Sequence, residues 1–331
     1  MRYWVGTMTL PTAATRRYQR FALGVLLYSL GVILWGAFVR ATGSGAGCGD
    51  HWPVCNGEVV PRAPSIQTLI EYTHRLTSGL ATLLAVALYV WGRREFPKGH
   101  PGRKAAFWAL VFMLTEGLVG AGIVLLKYVA QDARLGRAVW MGVHLTNTFL
   151  LVGAQTLVVW ASKGRARMVL RGQGPVGVVL AASILGMLVL GISGAVAALG
   201  DTLFPATSLA HGFEQDLSEA AHVLLRLRVF HPIIAVAMGA LLVFGGRWVA
   251  RLRPSPDVRR ASALLTGVYV AQLGAGVVNL VLLAPVAMQL VHLLLADCVW
   301  MCVVRLCAAG LAEDAPRLEP AAEPASRVEP V

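Results

Sequence analysis

The chain has 331 residues, 56% of them hydrophobic and 14% charged, and its 29 Lys and Arg against 17 Asp and Glu give a formal net charge of +12. With a mean hydropathy of +0.65, this composition excludes an ordinary water-soluble domain and points to a polytopic membrane protein. The basic surplus does not mark a nucleic-acid binder: the lysines and arginines collect in the short segments between apolar runs, where membrane topology alone would put them.

A transmembrane helix needs about 20 mostly apolar residues to cross about 30 Å of hydrocarbon. In chain order such runs fall at 20–39, 71–92, 105–127, 138–160, 175–199, 224–246, 260–283 and 287–308. The expected fold class is therefore an all-α integral membrane protein with eight transmembrane helices. If the N-terminal segment 1–19 is cytoplasmic, the inner segments carry Arg16, Arg17 and Arg20, then Arg93, Arg94, Lys98, Arg103 and Lys104, then Lys163, Arg165, Arg167 and Arg171, then Arg247, Arg251, Arg253, Arg259 and Arg260. The long outer loop at 200–223 is instead acidic, with Asp201, Glu214, Asp216 and Glu219. The positive-inside rule then puts both termini in the cytoplasm. The N-terminus shows neither a short apolar core with a cleavage site nor a long Arg/Ser-rich transit segment, so a bacterial or archaeal plasma (inner) membrane is the expected location. The last stretch, 309–331, becomes rich in Pro, Ala and Glu from about residue 312 and is expected to be a disordered cytoplasmic tail.

The first four runs resemble the last four. "GAFV" at 36–39 returns as "GAVA" at 194–197, "GAGIV" at 120–124 as "GAGVV" at 274–278, and "VHL" at 143–145 as "VHL" at 291–293. His74 and His231 keep the same register. The expectation is two pseudo-symmetric four-helix bundles, 20–160 and 175–308, joined by a cytoplasmic linker at 161–174 and related by an axis along the membrane normal. Runs two, four, six and eight all start on the outer side, and each carries one histidine near its start: His74, His144, His231 and His292.

A lone histidine in a membrane helix is more often a hydrogen-bonded interior residue than a ligand. Four at repeat-matched positions and one depth favour ligation, and imidazole pairs from facing helices suit heme iron. Zinc is the weaker alternative, because structural zinc usually takes four protein ligands and each half offers two. Covalent attachment is excluded by the lack of a CxxCH motif. The halves differ chemically: Glu71 precedes His74 by three residues, whereas Arg228 holds that place before His231. A carboxylate beside a porphyrin is a candidate base or proton carrier, and an arginine suits a propionate. The plainer readings are an interfacial Glu71 paired with Arg75 or capping its helix, and a snorkelling Arg228.

The first outer loop, "VRATGSGAGCGDHWPVCNG" at 39–57, places Cys48 and Cys55 in an oxidising compartment, compatible with a disulfide that is either structural or exchangeable. Arg40 at the end of the first run meets either a propionate or the headgroups. Cys298, Cys302 and Cys307 read as small packing residues. His51, His100, His211 and His222 lie in loops without repeat mates. Glu116 and Asp297 are intramembrane acids whose roles stay open.

"VRATGSGAGC" with "WPVCNG", "EYTHRLTSG" opening the second run, and "VHL" in the fourth and eighth resemble the heme A synthase family over about 20–308. The resemblance implies an enzyme that oxidises the C8 methyl of heme O to the formyl group of heme A by successive hydroxylations, for cytochrome oxidase assembly. It also implies His231 and His292 as axial ligands of a resident heme b, and His74 and His144 as the pair bracketing the substrate heme. Glu71 would be the catalytic residue, Cys48 and Cys55 the outer redox pair, and Arg40, Arg75 and Arg228 candidate propionate contacts. Heme O synthase, oxidase assembly factors and an unidentified electron donor or acceptor are the implied partners, and a homo-oligomer is left open. This chain departs from many members in having no second cysteine pair at 200–223, and Pro232 follows His231. A di-heme, quinol-linked electron carrier and a heme transporter are the rival readings.

Overall fold

The computed structural model describes residues 13–315; the expected N-terminal segment up to residue 12 and the tail from 316 onward lie outside the described residues. Among the described residues, eight helices are long and apolar enough to cross a membrane. Five are single: α1 (Ala13–Ala41), α2 (Ile66–Glu95), α3 (Pro101–Leu125), α4 (Leu135–Ala161) and α5 (Gly174–Leu203). A short α6 (Leu209–Leu217) follows outside the spans. The sixth span comprises α7 (Val223–Arg228), α8 (Phe230–Ala240), a π turn at Leu241–Gly245 and α9 (Gly246–Leu252), and α10 (Pro256–Val281) and α11 (Val286–Gly310) complete the set.

Local sequence explains the ends. Ser65 and Ser255 accept the N–H of Thr68 and Val258 to cap α2 and α10, and prolines occupy the first turns of α3, α5 and α10. The third and seventh spans stop two residues short of the apolar runs, at Leu125 and Val281. There Lys127 and Leu283 turn left-handed, at φ 59° and 61°, and end the helices as a C-terminal cap does. The sixth span breaks at Val229. Pro232 has no N–H to return to the Arg228 carbonyl four residues back, so the helix parts where that bond would have been.

In the first half α1 packs on α2 and α4, and α3 packs on α2 and α4; in the second, α5 packs on α7, α8 and α11, and α10 packs on α8, α9 and α11. Contact between the halves runs through α4 with α5, α7 and α11, and α1 with α11. At that seam the rings of Phe149 and Trp300 stack at 5.1 Å, and the Trp300 indole N–H donates 2.5 Å to the Phe149 carbonyl. The largest buried cluster lies around this pair and includes Leu180, Met187, Leu265 and Tyr269. Leu83, Leu118, Val178 and Phe244 stay exposed along the spans, as side chains facing lipid would. The segment expected as a free tail begins in contact: Val169 N–H donates to the Leu311 carbonyl and Glu313 N–H to the Arg167 carbonyl, tying residues 311–313 to the 161–174 linker.

Candidate functional site

The four span histidines lie eight, nine, eight and six residues after the first residues of their helices, taken as Ile66, Leu135, Val223 and Val286. Three of them rest against a glycine of a neighbouring helix. A Cβ on Gly36 would lie 2.9 Å from His74 Cε1, one on Gly194 3.1 Å from His231 Cε1, and one on Gly276 3.1 Å from His292 Cε1. These glycines begin or sit within the repeated stretches, so the repeat carries the seat as well as the ligand. Gly122, the sequence mate of Gly276, instead faces the Trp140 ring, whose Cζ3 lies 2.6 Å from where its Cβ would be.

His231 and His292 face each other with ring centres 6.4 Å apart and planes at 88°. The Ser193 hydroxyl lies 3.0 Å from His231 Nδ1, which leaves Nε2 as its free lone-pair candidate. Gln272 Nε2 lies 3.3 Å from His292 Nε2. In the other half, His144 Nδ1 lies 3.3 Å from Glu116 Oε1. The Nδ1 atoms of His74, His144 and His292 are buried with no geometrically formed hydrogen bond, so the Glu116 contact to His144 is a charge pairing at 3.3 Å.

Glu71 is buried and both its oxygens are engaged. Oε2 accepts the Cys48 N–H at 2.8 Å and Oε1 pairs with Arg75 at 2.5 Å. Arg75 also donates to the carbonyls of His51 and Val54, each at 2.7 Å. The Glu71–Arg75 pair therefore clamps the outer loop onto α2. Gly47 lets the loop lie against the helix start, since a Cβ there would be 2.4 Å from the Gln67 carbonyl oxygen. Cys48 and Cys55 form a disulfide with no exposed surface on either residue.

The other arginines also have protein partners. Arg40 donates to the Ala198 carbonyl, the Thr202 hydroxyl and Gln289 Oε1 at 2.9, 2.6 and 2.8 Å. Arg228 pairs with Asp201 and Asp216 at 2.7 and 2.6 Å. Arg228 thus stands three residues from His231, as the spacing predicts, but is turned to the acidic outer loop. Two of the loop histidines cap helices, the Nδ1 atoms of His100 and His222 accepting the N–H of Gly102 and Leu224, while His211, in the first turn of α6, contacts the Thr207 hydroxyl. Cys307 is buried in the central cluster, with Cys302 packed against it. Asp297 is fully buried, and neither of its oxygens has a hydrogen-bond partner. The roles of Glu116 and Asp297 were open in the sequence; Glu116 and its approximate repeat mate Gln272 stand 28 and 20 residues before His144 and His292, a difference in loop length that only the fold absorbs. Among the described residues, no group of three or more His, Cys, Asp and Glu is placed to hold a metal ion, so the donors offered are imidazole pairs.

Eight spans, paired histidines seated on glycines and a disulfide-closed outer loop define a polytopic membrane protein with two candidate imidazole-pair sites. Residues 19–304 match the family described as Cytochrome oxidase assembly protein, and the chain belongs to that family. It is 53% identical over 308 residues to a protoheme IX farnesyltransferase of Thermus thermophilus, covering 93% of this chain and 51% of that protein. It is 42% identical over 103 residues to a heme A synthase of Alkalihalophilus pseudofirmus, covering 31% and 33% of the two chains, and 39% identical over 132 residues to one of Exiguobacterium sibiricum, covering 40% and 43%. The chain thus spans about half the length of the Thermus relative and less of the matched heme A synthases.

Proposed function

We propose that this chain converts heme O to heme A, oxidising the C8 methyl to a formyl group by two hydroxylations followed by loss of water. The N-terminal half, 20–160, takes the substrate heme between His74 and His144, and the C-terminal half, 175–308, holds a resident heme b between His231 and His292. The observation that carries the reading is the 6.4 Å between the His231 and His292 ring centres. A metal ion held by both imidazoles at about 2 Å would need ring centres about 6 Å apart, which these two residues fit. Family membership supports the reaction class.

The iron of the bound hemes supplies the oxidising and electron-carrying chemistry. The chain's own residues orient, close and move protons. Gly36 and Gly194 set the depth of the imidazoles. The loop 42–62, pinned by Glu71, Arg75 and the disulfide, closes the outer end of α2 against water. Glu71 acts as the proton carrier at the substrate's edge, and releasing one of its two partners frees an oxygen for that task. Arg40, Arg75 and Arg228 can meet propionates only by sharing donors they already give to protein groups. The Cys48–Cys55 pair is the outer redox pair in this reading, exchangeable only when the loop opens. The membrane is a bacterial or archaeal plasma membrane, with both termini cytoplasmic.

The Thermus relative bears the name of the preceding chemistry, farnesylation of protoheme IX, but half of that protein lies outside the match. The reading consistent with both names is that a farnesyltransferase supplies heme O and this chain consumes it, which makes a heme O synthase a partner. The near-equivalent glycine seats favour, as a second reading, a di-heme electron carrier. One experiment separates these. The chain is expressed in a bacterium that makes heme O but no heme A, and the extracted hemes are identified by chromatography and mass. Heme A or its hydroxylated precursor beside heme b is expected, and Glu71→Ala should keep both hemes but yield no oxidised product. Two hemes b per chain despite abundant heme O would mean a carrier. Heme O made from protoheme IX and farnesyl diphosphate in a host lacking heme O would mean a transferase.

A further inference from the structure

Three of the span histidines are fixed by packing on glycine; the fourth is held by a charge. The glycine seat of the fourth helix is filled by Trp140, and His144 Nδ1 stands 3.3 Å from Glu116 Oε1 on α3. Glu116 is itself held in place: Oε2 accepts from Asn147 Nδ2 at 2.5 Å and Oε1 accepts the Thr148 hydroxyl. Asn147 is fixed in turn by the Phe112 carbonyl and the Thr115 hydroxyl, at 2.8 and 2.6 Å. A carboxylate at this depth is costly unless it is solvated by such donors. In the second half a neutral amide, Gln272, contacts the corresponding histidine, and at its other ring nitrogen.

We propose that Glu116 is a positioning residue for the N-terminal site. Facing His144 Nδ1 at 3.3 Å, its carboxylate would favour the tautomer that keeps the proton on Nδ1 and leaves the Nε2 lone pair for the heme iron, and it places one negative charge behind that imidazole. This rests on the reading of His144 as an axial ligand. A carboxylate behind a ligating imidazole orients the ring and raises its basicity. The added electron density favours the ferric over the ferrous state. The two sites would therefore differ in potential, because a carboxylate faces His144 Nδ1 whereas His292 Nδ1 has no hydrogen-bond partner.

The test uses the full-length chain, purified with heme in both halves. Each heme is followed by potentiometric titration and low-temperature electron paramagnetic resonance. Glu116→Gln keeps groups able to bond Asn147 and Thr148 but removes the charge. It is expected to keep both hemes and to raise the potential of one by a tenfold change in its ferric/ferrous ratio, about 59 mV for one electron. The low-spin signal of that heme should change and the other stay put, while Glu116→Asp, which keeps the charge, restores most of the shift. Unchanged signals and potentials in Glu116→Gln would overturn the proposal while leaving the ligand reading intact. A low-spin signal that survives unaltered in His144→Ala would remove the ligand reading itself. If Glu116→Gln does not accumulate, pulsed resonance of the remote imidazole nitrogens in the wild-type protein decides. One strongly hydrogen-bonded Nδ1 at the N-terminal heme is expected, and equal couplings at all ligands would overturn the assignment.

Discussion

An imidazole can press against a helix only where that helix has no Cβ beneath it, so the glycines opposite the histidines are as specific as the histidines. Gly36→Ala would put a methyl 2.9 Å from His74 Cε1 and 3.1 Å from its Nε2, inside van der Waals contact. The expected outcome is loss of most N-terminal heme with the C-terminal heme retained, read from the heme-to-protein ratio of the purified variant. Gly24→Ala is the control on the same helix, because nothing lies within 4 Å of its added Cβ. There alanine's better helix propensity, about 1 kcal/mol, leaves the melting temperature unchanged or slightly raised. Glu71 poses a different question, since its carboxylate is both the proposed proton carrier and the anchor of the outer loop. Removing one partner of a buried ion pair costs about 3 kcal/mol or more, and Arg75 keeps its two carbonyl acceptors. Glu71→Ala is thus expected to loosen the loop without unfolding the spans, seen as faster proteolysis within 42–62 at an unchanged heme content.

At the scale of elements, two local breaks shape the site. The gap between α7 and α8 places His231 in the first turn after a helix interruption, and Pro232 is its cause. Pro232→Ala restores the missing N–H and should join the two helices. The ring of His231 would then turn, changing the low-spin resonance of the C-terminal heme while the N-terminal signal stays as it was. The outer loop is the second break. Cys48 and Cys55 have no exposed surface, so a membrane-impermeant reductant followed by a maleimide should label neither in the folded protein and both after denaturation. Labelling without denaturation would show that the loop opens readily, as an exchangeable redox pair requires. The apolar runs and most span ends were legible in the sequence, because about 20 lipid-facing residues leave a signal no loop can imitate. The early stops of α3 and α10 were not, since Lys127 and Leu283 adopt left-handed backbone that neither residue type announces.

Across the whole molecule, the halves are joined by apolar contact around Phe149 and Trp300 and by the half-buried Arg40. Arg40 leaves α1 and bonds groups on α5 and α11. Arg40→Ala strands those acceptors, and at about 1.5–3 kcal/mol for a hydrogen bond to a charged group a drop in melting temperature of several degrees is expected in detergent. Arg40→Lys should recover part of it. An even number of spans puts the start of α1 and the end of α11 on one side. Reporter fusions at the two ends should therefore both read cytoplasmic, as the lysine and arginine distribution requires.

Composition, the eight apolar runs, the internal repeat and the depth of four histidines are properties of the sequence, because burial in lipid and helical period act on residue type and spacing alone. The family followed from motifs that are contiguous in the chain. What the sequence left undecided depends on contacts between distant segments. Glu71 is bound by a loop N–H 23 residues away, Arg228 is turned to Asp201 and Asp216, and Glu116 lies behind His144 across 28 positions. Which partner an ionisable side chain takes is set by a few ångströms between helices, and loop lengths that differ between the two halves hide that distance from any reading of the chain in one dimension.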